Sequence, residues 1–543
     1  MSSSYKTLVF GDDARDKIAA GVNMLASAVK VTMGPSGQNV VIERPGQPPH
    51  LTKDGVTVAH AINLSDRFMN LGAQMVKEAA QRAAEIAGDG TTTATVLAQS
   101  MYSNGLRMVA AGFDPTELCR GMAAAASRVE DEISGLAIPV ECDDDIIHVG
   151  TISANGDVSI GRLLCEAVNA VGEDGSIAVE EAKGFDTSLD IVEGTQIERG
   201  YLSPYFVTNQ DRMLTEFSNP LVLLVNKKIS SIKEILPVLE RVHEEQRALL
   251  IIADDVEGEA LQGLVVNRLK GTLQVCAIRA PEFGDARMKA MSDLGLLLGC
   301  KVYTSADFAS KDPIDPDEMG TCKKATITGG STLIMVGNSN SEVVAERVSS
   351  LREQVEEPTL SDPERDALHR RISRLSGGIA VIRVGGATEV ELREKKDRVE
   401  DALCATQAAI EEGIVPGGGV ALVRAVKVLD SIEQKGNEDY NCGVRIVKEA
   451  CLDPLRQIVS NTGGAPEVVL EKVARAKGDK GYDARREEYV NMMESGIIDP
   501  AKVVKSAVHH ASSAARNLLS VGCAMVQDDV EISDEKNAIL TNV

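Results

Sequence analysis

Gly88-Asp89-Gly90-Thr91-Thr92-Thr93-Ala94-Thr95, between two stretches of helically spaced apolar residues, is the strongest local signal in the chain. Two glycines around an acid let the backbone approach a ligand closely. A helix starting directly after them offers unpaired N–H groups and a positive dipole end. Four threonine hydroxyls crowd that first turn. An aspartate beside phosphate calls for a divalent cation between them, and Mg²⁺ held by one carboxylate plus phosphate oxygens suits the pattern. No Walker lysine follows, so this is not a P-loop. The plainer reading of the same residues is an Asp-Gly turn with a threonine helix cap.

Working outward, Thr32-Met33-Gly34-Pro35 ends one helix in a glycine turn, and Thr52-Lys53-Asp54-Gly55 puts an acid in a second turn. Gly417-Gly418-Gly419 precedes an apolar helix and is another place where backbone could lie flat on a nucleotide. Residues 12–135 read as mostly helix: Ile18, Val22, Leu25 and Val29 form a stripe over 16–31, and 74–87, 92–110 and 115–136 continue the style. After Pro139 the texture changes to β-rich runs at 176–181, 189–193, 220–225, 249–253 and 273–279, mixed with helices near 232–246 and 257–270. Helix returns at 389–412, 420–429, 442–461 and 500–521. This α, then α/β, then α order predicts that the outer segments pack together around an insert bracketed by Gly194 and Gly377-Gly378. The polar stretch 531–543 is expected to fray.

Composition narrows the function. The chain has 543 residues, enough for several domains. Aromatic residues make up 3%, with no Trp, which suits helices packed by small aliphatics and argues against base-stacking platforms. Eighty-one acidic against 57 basic residues give a net charge of −24, the wrong sign for nucleic acid. The ten cysteines (119, 142, 165, 276, 300, 322, 404, 442, 451 and 523) contain no CxxC, and are read as reduced, mostly buried thiols. No HExxH is present, and the adjacent His509 and His510 cannot share one helix face. No signal-like N-terminus and no uncharged apolar run of about 18 residues is found, so the expectation is a soluble protein of a reducing, cytoplasmic compartment, without membrane partners.

Six runs carry a family resemblance: Val31-Thr32-Met33-Gly34-Pro35, Leu51-Thr52-Lys53-Asp54-Gly55-Val56, residues 88–98, Arg199-Gly200-Tyr201-Leu202-Ser203-Pro204-Tyr205-Phe206, Asp255-Val256-Glu257-Gly258-Glu259-Ala260-Leu261 and Arg398-Val399-Glu400-Asp401-Ala402-Leu403. In these the chain resembles the bacterial and organellar (group I) chaperonins, the GroEL family, over about residues 5–525. The resemblance implies a multidomain α and α/β subunit. Its parts are a helical equatorial ATP-binding domain (1–137 and 413–543), a small intermediate hinge domain (138–193 and 378–412) and an α/β apical polypeptide-binding domain (194–377). It also implies a seven-membered ring, single or double, in which ATP drives enclosure of non-native polypeptide under a co-chaperonin lid.

Carried over by motif, Asp89 would ligate Mg²⁺, with Gly90, Thr91, Thr92 and Thr93 around the phosphates. Thr32, Met33, Gly34 and Pro35 would line the phosphate side, and the Thr32 and Lys53 carbonyls would help hold K⁺. Gly418, Asp483, Ala484, Ile497 and Asp499 match adenosine-contact positions. Asp54 and Asp401 match the acids that position or deprotonate the attacking water. Placement plus charge neutralisation is most of what phosphoryl transfer needs. Asp401 points away from its helix's apolar stripe of Val399, Leu403, Thr406 and Ile410, so an ordinary solvated charge is the alternative.

Two helices of the middle segment carry wide apolar faces. Ile232, Ile235, Leu236, Val238, Leu239 and Val242 cover an arc of about 160°, and Leu261, Leu264, Val265, Val266 and Leu269 about 200°, against ~100° for a core face. Periodicity alone allows fully buried helices or an exposed groove. The resemblance favours the groove: Tyr201, Tyr205, Phe206, Leu236, Leu239, Leu261, Val265 and Val266 match positions that hold non-native polypeptide and then the lid's mobile loop.

Three departures from the family pattern stand out. The Gly-Gly-Met-rich tail is absent. Asp483-Ala484-Arg485 replaces Asn-Ala-Ala at the adenine edge. Ala465 replaces a Glu that would meet Arg456 across a ring interface, which predicts a weaker double ring. A nucleotide-binding holdase or ring scaffold is the rival reading. A small-molecule kinase would need an acceptor pocket that the sequence does not show.

Overall fold

The computed structural model describes residues 6–43, 49–171, 176–182, 184–209, 213–309, 314–336, 341–355, 365, 368, 371–372, 374–375, 378–434 and 436–527. The predicted tail at 531–543 and Gly377 lie outside these. The chain divides into two compact units, Met1–Cys165 with Asp397–Val543, and Glu166–Lys396. The expected intermediate segment does not separate as a third: 138–165 and 397–412 belong to the first unit, 166–193 and 378–396 to the second.

The first unit is helical. Its core is shared by helices Gly11–Val29, Arg67–Ala87, Thr91–Ala110, Pro115–Leu136, Glu438–Ala450 and Ala501–Leu519, with Leu25, Leu97, Met101, Tyr102, Leu118 and Met122 fully buried. The scarcity of aromatics has a structural counterpart in how these helices cross. A Cβ on Gly21 would lie 1.8 Å from the Met69 carbonyl oxygen, and one on Gly72 would lie 2.2 Å from that of Ile18. The same reciprocity joins Gly121 to Tyr440 (2.0 Å) and Gly443 to Leu118 (2.2 Å). Backbones therefore touch at two crossings, where no larger residue fits.

Local differences from the sequence reading have simple causes. The first helix starts at Gly11, with Asp12 and Asp13 in its first turn where the dipole favours acids. The stretch predicted as one helix over 442–461 breaks after Ala450, and Pro454 lies in the first turn of the following helix, Asp453–Asn461. A strand absent from the sequence reading, Cys523–Gln527, pairs antiparallel with Lys6–Phe10 and ties the two chain segments of this unit together.

The second unit is α/β, as the β-rich texture predicts. Strands Leu221–Ile229, Leu249–Val256 and Val275–Arg279 pair in parallel, with Val302–Thr304 parallel and Gly320–Thr321 antiparallel to the first of them. A six-stranded sheet runs in the order Ser176–Glu181, Gly378–Val384, Ser188–Ile197, Thr332–Met335, Lys324–Ile327, Thr215–Ser218. Asp293, 5% exposed, accepts two hydrogen bonds from Arg371 (2.6 and 2.8 Å), so the buried charge is paired.

The glycine crossings give a direct test. Gly443→Ala should lower the stability of the chain by about 1–3 kcal/mol, read as a lower denaturant midpoint of helix loss. An unchanged midpoint would show that these helices separate without cost.

Candidate nucleotide site and apical surface

Helix Arg67–Ala87 ends on Gly88, which adopts φ 74°, and Gly90 at φ 91° opens helix Thr91–Ala110 without a side-chain cap. The first bond of that helix's ladder runs from Ala94 N–H to Gly90 O, leaving the N–H groups of Thr91, Thr92 and Thr93 outside it. The Thr91 hydroxyl is buried and has no hydrogen-bond partner among the described residues. A buried orphan hydroxyl at an uncapped helix start is an unfinished polar site, of the kind that phosphate oxygens complete.

Asp54 caps the short helix Gly55–Ala61, accepting from Val56 N–H (2.9 Å), Thr57 N–H (2.8 Å) and the Thr57 hydroxyl (2.6 Å). A Cβ on Gly55 would sit 2.2 Å from Thr92 Oγ1, so this turn abuts the threonine-rich one. Asp401 lies on helix Glu389–Glu412, whose Val399, Ala402 and Leu403 are buried. One turn later, Cys404 presses on Gly88 so closely that a Cβ there would come within 2.0 Å of its own. Asp499, on strand Ile498–Pro500, accepts a hydrogen bond from the Gly418 N–H, and its Oδ1 would lie 3.1 Å from a Cβ on Gly417.

These placements bring like charges together. Asp89 and Asp401 are solvent-accessible, yet protein surrounds them closely enough that burial is the first cause of their shifts. Burial raises the Asp89 pKa, a hydrogen bond from Gly90 opposes this, and Asp54 adds to the rise. Asp401 is pushed well up by burial, then by Asp89 and Asp54. Burial and then Asp89 push Asp499 up to about 6, and burial followed by Asp401 pushes the Cys404 thiol up to about 11. No lysine or arginine is among the groups that shift the three acids. No cluster of three His, Cys, Asp or Glu at metal-ligand spacing occurs among the described residues. Protein oxygens alone do not build a metal cage. A single carboxylate with space for ligand oxygens does fit Mg²⁺, which keeps water and phosphate in its shell.

The other predicted positions divide. Thr32 and Met33 are buried, the Thr32 hydroxyl donating to Val29 O (2.8 Å), while Gly34, Pro35 and Lys53 are exposed. Sequence reasoning missed Asn461, whose amide donates to Lys30 O (3.0 Å) and Met33 O (2.8 Å) and so fixes the Thr32–Gly34 turn. No local pattern marks that asparagine. Gly418 at φ 63° lies beside Met492, and Ala484, Tyr482 and Ile497 form an apolar wall with it. Asp483 turns into its own hairpin, accepting from Arg485 N–H (2.8 Å) and Arg486 N–H (3.2 Å). The Arg485 guanidinium lies where a Cβ on Gly156 would meet it at 2.7 Å. Arg456 is satisfied within the chain by Glu449 (2.8 Å), Asp453 (2.9 Å) and Glu467 (2.8 Å).

In the second unit Tyr205, Leu236 and Val266 are exposed (64%, 44% and 46%), as is Leu269 (65%). Tyr201, Leu261 and Val265 are half-buried against the core. Phe206 and Leu239 need correction as surface residues: at 0% and 5% exposure they fill the core. Leu239 belongs to the inward face of helix Leu236–Glu245 with Val238 and Val242, and Phe206 ends the 3₁₀ turn Pro204–Phe206 within the same core. The wide arcs are thus part core and part surface, and Gly263 lets Ile232 pack within 2.5 Å of its Cβ position.

A helical unit with an uncapped, acid-flanked helix start, joined to an α/β unit with exposed apolar helix positions, defines the subunit architecture of chaperonins. The sequence matches the profile of the TCP-1/cpn60 chaperonin family over residues 25–529, and the chain belongs to that family. Its fold is similar to crystal structures of the chaperonin gp146 from the bacteriophage EL 2 (Pseudomonas aeruginosa), determined in the presence of ATP-BeFx. One crystal form gives a TM-score of 0.71 and another 0.63; in both, identity is 24%, with 96% of this chain and 99% of that one covered. The protein is a GroEL-like chaperonin, a chaperone of protein folding.

The raised Asp499 pKa has a consequence for stability. A folded-state value near 6 against the usual 3.8 means the native state binds protons more tightly, so this group destabilises the fold increasingly as pH rises through that window. Asp499→Asn should therefore melt higher than wild type at about pH 7.5 and alike at about pH 3.5 in thermal scans without nucleotide. Equal melting at both would place Asp499 outside the repelling cluster.

Proposed function

We propose that this chaperonin hydrolyses ATP with Mg²⁺ to drive enclosure of non-native polypeptide within a homo-oligomeric ring. The observation that carries this reading is the meeting of Asp54, Asp89 and Asp401 at the uncapped start of helix Thr91–Ala110, with no lysine or arginine among the groups that shift Asp89 and Asp401. Asp89 would hold Mg²⁺, which when bound neutralises charge on the phosphates; Thr91, Thr92 and Thr93 donate from the helix start. The Thr32 and Lys53 carbonyls would help seat K⁺. Gly418, Ala484 and Ile497 provide a flat apolar face for the base, and Asp499 an acceptor for the sugar.

Asp54, fixed by three hydrogen bonds, orients the attacking water. Asp401, whose raised pKa makes it the stronger base, takes the proton. Residues 138–193 and 378–412 serve as the hinge, and Tyr205, Leu236 and Val266 offer sequence-tolerant apolar contacts to clients and then to a co-chaperonin lid. The protein works in a reducing cytoplasm, where its ten cysteines stay free thiols.

Two short ribbons support ring assembly. In the hairpin Val40–Ile42 with His50–Thr52, the cross-strand partners Val41 and Leu51 are 65% and 54% exposed. In the ribbon Lys6–Phe10 with Cys523–Gln527, Leu8 and Met525 are partners at 45% and 56%, beside Phe10 at 64%. Exposed apolar pairs on two-stranded ribbons invite pairing between copies, and two different patches per subunit give a head-to-tail contact that closes into a ring, here of seven.

Asp401→Ala should lower the Mg²⁺-dependent ATPase rate by about a hundredfold with nucleotide still bound. An undiminished rate would remove Asp401 from the chemistry, and a wild type without turnover would favour the holdase reading. Val41→Asp combined with Leu51→Asp should leave monomers in light scattering. Intact rings would relocate the interface.

A further inference from the structure

Lys77 is a charged group that the proposed chemistry leaves unused. It lies in the helix Arg67–Ala87, is only 8% exposed, and has no carboxylate partner among the described residues. Burial lowers its pKa, as expected for an ammonium drawn out of water. Its Nζ donates to the carbonyls of Ile62 (3.0 Å) and His60 (3.3 Å), which end the helix Gly55–Ala61. Asp54 caps the other end of that same helix.

We propose that Lys77 is a positioning residue for Asp54, acting through the helix between them; this rests on the hydrolytic reading above. Seven residues are too few to hold a helix by themselves, so its place is set at its ends. At the start, Gly55 abuts Thr92. At the finish, about 10 Å away, the Lys77 ammonium meets the negative end of the helix dipole and its unpaired carbonyls. Lys77 belongs to the helix that runs on into Gly88 and Asp89. One rigid element therefore leads directly into the proposed metal ligand and, twelve residues before that ligand, clamps the rod that carries the water-orienting acid. Without the clamp the rod frays and Asp54 shifts relative to Asp89, and small misplacements of a catalytic group cost rate more than binding.

The test compares full-length wild type, K77M, K77Q and K77R for steady-state ATP turnover, with ATP as the probe and circular dichroism as the check on folding. K77M should lose about tenfold in kcat with KM within about twofold, and K77R, which keeps the charge, should recover most of the loss. If K77M does not fold, K77Q decides in the same way. A folded neutral variant with wild-type kcat, or one in which KM rises while kcat holds, overturns the inference. A wild type that turns over no ATP overturns instead the hydrolytic reading on which it rests.

Discussion

Mutual repulsion among Asp54, Asp89, Asp401 and Asp499 is the constraint around which the first unit is arranged. Close enclosure by protein, and the neighbouring acids, raise the proton affinity of Asp89, Asp401 and Asp499, with no lysine or arginine among the groups that shift them, and so oppose the fold that gathers them. Such an arrangement is tolerable only if surrounding packing over-determines it. The backbone contacts at Gly21, Gly72, Gly121 and Gly443, and the tight seat of Cys404 on Gly88, are that packing. On the proposed reading, a cation and a polyphosphate would relieve this repulsion.

Much of this was legible in the sequence because glycine, aspartate and threonine act locally. Gly88-Asp89-Gly90 before a threonine run announces a helix start with spare donors, and the positive φ of both glycines bears out the turn. The α/β texture of the middle segment was equally plain, since parallel buried strands such as Leu249–Val256 read as apolar runs. What stayed hidden depends on partners far along the chain. Asn461 reaches a turn more than four hundred residues earlier, and Lys77 looks like any helical lysine until its burial is known. Apolar arcs likewise could not separate Leu239, which is core, from Leu236 three residues before it, which is surface.

The departures at the base edge also change meaning once placed. Asp483 spends its carboxylate on two backbone N–H groups of its own hairpin, and Arg485 extends to the turn at Gly156. They form a structural link between the hairpin and a neighbouring segment of the first unit. Arg456, whose expected partner position is Ala465, already has three carboxylates within the chain, the nearest in sequence to Ala465 being Glu467. The guanidinium is satisfied within the chain, and the three carboxylates leave that spot net negative.

The antiparallel pairing of Lys6–Phe10 with Cys523–Gln527 reaches beyond architecture. More than five hundred residues separate these strands, and the intervening second unit is formed from Glu166–Lys396. The early helices of the first unit are synthesised before Glu438–Ala450 and Ala501–Leu519, with which they share a core. Until those partners emerge, the apolar faces that they cover lack their native contacts. The closing contacts of the first unit thus join segments far apart in the chain, the non-local kind of pairing that slows folding.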